Sequence, residues 1–94
     1  MVSYLYLVKR TDDVTRDEYD SFVVCAKNEN EARRVHPNRK IFFEDGMSEQ
    51  ERNRFRWDWT DKIETLEIRC IGLASASLKN RQVICAVIMR DRED

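Results

Sequence analysis

Two apolar stretches close together near the start of the chain decide how the rest is read: Tyr4-Leu5-Tyr6-Leu7-Val8-Lys9 and Tyr19-Asp20-Ser21-Phe22-Val23-Val24-Cys25-Ala26. Each alternates with period two, which is the signature of a strand rather than a helix. In the first, Tyr4, Tyr6 and Val8 share one face, and Leu5, Leu7 and Lys9 share the other. Both faces are largely apolar, which suits a strand covered on two sides. In the second, Phe22, Val24 and Ala26 oppose Tyr19, Val23 and Cys25. The polar link between them, Thr11-Asp12-Asp13-Val14-Thr15-Arg16-Asp17, is short enough to predict an antiparallel hairpin.

Downstream of the hairpin the period changes. Asn28 is a helix cap, and Glu31 three residues later completes a capping-box pattern. Glu29 and Glu31 in the first turn, with Arg33, Arg34 and His36 in the last, suit the helix macrodipole. Pro37 stops the helix at His36. Ile41-Phe42-Phe43 reads as a short strand or a packed loop, and Glu44-Asp45-Gly46 as a turn. Ser48 and Glu51 form a second capping pattern, so a helix should start there and carry Phe55 and Trp59 on one face near Met47. A strand over Phe55, Trp57 and Trp59 is the competing reading of that segment. Residues 63–72 read as a third strand, with Leu66, Ile68 and Cys70 alternating with Glu67 and Arg69. Val83-Ile84-Cys85-Ala86-Val87-Ile88-Met89 is apolar on both faces, as expected of a central strand. Residues 90–94 are a charged tail expected to fray. The order ββα(α)ββ predicts an α+β fold: a mainly antiparallel sheet of about four strands, with one or two helices packed on one face.

The chain has 94 residues, enough for a single domain over 1–94. Seventeen basic residues balance 18 acidic ones, so the chain lacks the positive excess of a general nucleic-acid binder. No apolar run approaches a membrane span, and the leading segment reads as a strand rather than a signal peptide. The expectation is a cytoplasmic chain with reduced thiols. Cys25, Cys70 and Cys85 all lie in apolar runs without paired spacing, so they are expected to be buried small hydrophobes. A zinc site built from those three and His36 lacks the usual close ligand pairs.

No phosphate loop, nucleophile elbow or paired-ligand metal motif is present. His36, the one histidine, has no sequence-near nucleophile, and its place at a helix end accounts for it. The acidic groups Asp12-Asp13, Asp17-Glu18-Asp20 and Glu44-Asp45 read as solvated turn charge. These features predict no enzyme activity, no catalytic or metal residues and no cofactor. The richest interaction signal is Arg52, Arg54 and Arg56 interleaved with Trp57 and Trp59, with Arg33, Arg34, Arg39 and Lys40 possible neighbours. Arginine among aromatics suits single-stranded nucleic acid, by stacking and phosphate contact. It equally suits a protein interface. Acidic neighbours Glu49, Glu51, Asp58 and Asp61 dilute the basic patch, which favours Phe55, Trp57 and Trp59 as core residues with the arginines wet or ion-paired. A protein partner or self-association, including a homodimer through strand edges or sheet faces, needs no motif and is the expected mode of action.

Residues 4–12, 18–26 and 30–37, which read YLYLVKRTD, EYDSFVVCA and NEARRVHP, resemble a group of short uncharacterised phage and prophage proteins. These share a YLV-RTD, YDSFVV-A and EEAR-HP run. Ile71-Gly72-Leu73-Ala74 and the Val83–Val87 strand look like the group's later half. The resemblance implies a bacterial or phage origin and, by analogy with small phage proteins, a role in binding another protein. It implies no catalytic residue.

Overall fold

The computed structural model describes residues 2–15, 17–38 and 41–89. The predicted hairpin is present: β1 (Tyr4–Lys9) pairs antiparallel with β2 (Tyr19–Ala26), with Leu5 opposite Cys25 and Val8 opposite Phe22. Its connection is held by charge. Arg10 is almost fully buried and grips Asp12 with two hydrogen bonds, from Nε at 2.8 Å and Nη2 at 2.7 Å. Its Nη1 lies 3.4 Å from Glu18, while Glu18 accepts from the Thr15 amide. Asp17 takes φ 67°, a left-handed turn residue of the kind Asp tolerates.

The helical layer is shorter than the sequence predicts. Asn28 caps α1 by accepting from the Glu31 amide at 2.8 Å, but α1 spans only Glu29–Ala32. The expected continuation to His36 is replaced by a turn at Arg33 and Arg34 followed by a bridge at Val35. Val35 bridges Phe42 antiparallel, the His36 amide donates to the Ile41 carbonyl, and the Phe43 amide donates to the Arg34 carbonyl. Pro37 does hold His36 out of helical geometry. The competing ladder to residues 41–43 withdraws the chain four residues earlier, so His36 is not at a helix terminus. Residues 41–43 are thereby a packed loop carrying one bridge.

Ser48 caps α2 (Glu49–Arg56) as predicted, accepting from the Glu51 amide. Phe55 is buried on α2, and Trp59 is buried beyond the helix end. The two meet the same core from different segments, and the alternative strand over Phe55–Trp59 does not form. Ile63–Thr65 is a 3-10 turn, so β3 (Glu67–Leu73) begins four residues later than predicted. β4 (Val83–Ile88) completes a four-stranded antiparallel sheet of order β3-β1-β2-β4.

This order corrects two expectations. The strand written for burial on both faces, β4, lies at an edge. The hairpin takes the centre, yet only one face of it is covered. The covered face packs Tyr6, Val8, Phe22 and Val24 against Ala32, Val35, Phe43, Phe55 and Trp59. Ring pairs meet edge-on, with Phe22–Trp59 centroids 5.2 Å apart and Phe43–Phe55 5.4 Å. The molecule is 20 Å across its thinnest dimension, the depth of one sheet and one helical layer at about 10 Å each.

Candidate interaction surface along β4

β4 is reached through a tight turn. Arg81 adopts φ 66°, and its guanidinium lies 3.7 Å from the Phe42 ring centroid and 3.6 Å from the Glu31 carboxylate. The Cys25 amide and carbonyl bond to Gln82 and Arg81, which docks the start of β4 onto the end of β2. At the other end, the Met89 amide donates to the Glu18 carbonyl, and its carbonyl accepts from the Asp17 amide. The register pairs Tyr19 with Ile88, Ser21 with Val87, Phe22 with Ala86 and Val23 with Cys85. That register, which leaves Ile84 as an extra residue between Val83 opposite Val24 and Cys85 opposite Val23, then assigns the faces. Val83, Ala86 and Ile88 point to the helix side, and Cys85 and Val87 to the other.

Neither side is closed. On the helix side, cover ends over β2 and leaves a groove of about 700 Å³. Val83, Ala86 and Ile88 line it, with Tyr19, Pro37 and Lys79 among its walls. On the opposite side, Ile84 is 43% and Val87 54% exposed, and Leu5, Leu7 and Val23 are half-buried, with no element above them among the described residues.

His36 builds the inner wall of the groove. It is fully buried between Tyr19 and Phe55, edge-on to both rings. Its Nδ1 accepts from the Asn38 amide at 3.0 Å, so Nε2 carries the proton and donates to Asp58 at 2.9 Å. The histidine thus ties the loop after Val35 to the segment after α2. Both ring nitrogens are engaged in structure.

The sequence-predicted interaction residues are not brought into one patch. Trp59 is buried against Phe22 and under Arg10, so it offers no stacking surface. Trp57 is 76% exposed. Arg56 is spent on Glu49 at 2.8 Å and Asp61 at 2.9 Å, and the hydrogen bond to Glu49, followed by that to Asp61, raises its pKa. Arg52 lies over Phe43, Arg33 donates to the Ile63 carbonyl, and Arg34 donates to the Phe43 carbonyl and pairs with Asp45. Arg54 is exposed. Arg39 and Lys40 lie outside the described residues, as do residues 90–94.

The thiol expectation is corrected in two of three cases. Cys25 is buried, whereas Cys70 and Cys85 are exposed, because β3 and β4 are the sheet edges. Among the described residues no three His, Cys, Asp or Glu side chains are placed to hold a metal ion. Of the acidic groups, Asp12 and Glu18 pair with Arg10 and Asp45 with Arg34; the Arg10 hydrogen bond holds the Asp12 carboxyl below its ordinary pKa, and burial raises that of the Tyr6 phenol. No helix among the described residues is long and apolar enough to cross a membrane.

The surface that sequence reasoning missed is the β4 flank. Its apolar pattern was visible; its position at an edge was not, because that depends on strand order. No protein-family model, curated protein or solved structure matches the chain.

Proposed function

We propose that this chain is a non-enzymatic protein-binding module of phage type, and that its docking surface is the flank of β4. One observation carries the reading. Val83-Ile84-Cys85-Ala86-Val87-Ile88 has the composition of a doubly buried strand but stands at an open edge, with apolar side chains unburied on both sides. Folding leaves that area in water, and a protein partner removes it at about 25 cal/mol per Å². The phage attribution rests on the sequence resemblance alone.

The competing reading, single-stranded nucleic acid held by Arg54 and exposed Trp57, is favoured by the 76% exposure of that ring. Two substitutions separate the readings. Val87→Lys places a charge on the β4 flank and should abolish association with a protein partner purified from the native host, with Arg54→Glu indifferent. A gel shift with single-stranded DNA at low salt that Arg54→Glu abolishes, together with partner binding that ignores Val87→Lys, would overturn the proposal.

A further inference from the structure

We infer that the partner at the β4 edge is a second copy of this chain. The two β4 strands pair antiparallel about a two-fold axis at Ala86, giving one continuous eight-stranded sheet. The inference rests on the reading of β4 as the docking surface and adds who occupies it.

The first argument is hydrogen bonding. Met89 turns both its amide and its carbonyl inward, to Glu18 and Asp17. Strand alternation therefore turns the backbone groups of Ile88 and Ala86 outward, away from β2. Among the described residues β4 has no strand beside it other than β2. An antiparallel two-fold partner presents the same outward groups, so Ala86 faces Ala86 of the partner subunit and both N–H···O bonds form at the axis.

The second argument is what the edge lacks. Edge strands are ordinarily blunted by an inward charge, a lysine or a proline. Residues 83–88 hold none of these. Pairing makes each β4 a central strand with its open backbone groups bonded, and leaves the face opposite the helices as uncovered as that of the hairpin.

The third is charge at the two ends. The β4 entrance carries exposed Lys79; its exit lies beside exposed Asp17 and half-buried Asp20. Asp20 sits in the irregularity between Tyr19 and Ser21. Antiparallel pairing at Ala86 sets Val83 opposite Met89 of the partner subunit, so the basic end of each copy approaches the acidic end of the other. A parallel arrangement would set like against like. Six residues per strand make a small contact, so the dimer is weak and concentration-dependent.

The test uses the full chain. In sedimentation over a concentration series the mass should rise from 11.3 kDa towards twice that value. Val87→Lys should hold it at 11.3 kDa with an unchanged circular dichroism spectrum. In a Cys70→Ser background, Val87→Cys sets its thiol opposite Cys85 of the partner subunit, at a non-hydrogen-bonded pair about 4.5 Å between Cα atoms. Mild oxidation should give a covalent dimer roughly tenfold faster than Leu7→Cys with Cys70 and Cys85 changed to Ser, because Leu7 lies two strands, about 10 Å, inward. Rapid crosslinking through Leu7→Cys instead would mean packing of sheet faces and would overturn edge pairing. A chain that stays at 11.3 kDa throughout also overturns it. If a host partner then still depends on Val87, the docking surface stands with a different occupant. If nothing depends on Val87, both readings fall.

Discussion

Replacing His36 with alanine should unfold much of the molecule at moderate temperature. The ring is 1% exposed and packs edge-on to Tyr19 and Phe55, so its loss leaves a cavity costing about 3 kcal/mol. It also strips Asp58 of a 2.9 Å donor and the Asn38 amide of its acceptor. Both of those groups reach some solvent, so that part adds about 1 kcal/mol rather than the full burial penalty. The total of about 4 kcal/mol is a large share of the roughly 5–15 kcal/mol that stabilises a domain. In a chain of this size it lowers Tm by roughly 16–32 °C. His36→Phe keeps the ring volume and loses only the polar part, about 1–2 kcal/mol. Urea unfolding followed by circular dichroism measures both. A His36→Ala loss below about 1 kcal/mol, or a His36→Phe loss as large as that of His36→Ala, would refute the account of His36 as a packed tie between two loops.

Iodide should quench only part of the tryptophan emission, since Trp57 is exposed and Trp59 is buried; Trp57→Phe should remove the quenchable part, and full quenching would contradict the burial of Trp59. Ellman's reagent should titrate Cys70 and Cys85 in the folded chain and Cys25 only after denaturation. Arg10 holds the Asp12 carboxyl below its ordinary pKa. The stability this contributes is complete above the unfolded value near about 4 and is lost as pH falls through the lowered folded value. Asp12 is 48% exposed, so the effect is under about 1 kcal/mol, and Asp12→Asn should flatten that acid limb in chemical unfolding at pH 2–5.

What the sequence made legible was local. The hairpin, both helix caps and the split of the chain into ββ, helices and ββ follow from period, cap residues and turn chemistry within a few positions. What it did not show was set by distant partners. α1 stops at Ala32 because Val35 finds Phe42, and β3 starts at Glu67 because Ile63–Thr65 turns first. Trp59 enters the core while Trp57 stays out, although the two are equally apolar and two residues apart. The largest difference is β4. Its doubly apolar pattern implies a central strand, and the sheet order puts it at the rim. Pairing with a second copy would give that strand the central position its pattern implies.

Hydrogen exchange of the β4 amides, read by NMR as the protein is concentrated, tests that account most directly. In dilute solution Ala86 and Ile88 should exchange quickly while Met89, bonded to Glu18, is protected; concentration should then slow Ala86 and Ile88. Uniform protection along β4 at the lowest concentration, or rapid exchange of Ala86 and Ile88 at every concentration, would contradict an open edge that a second molecule closes.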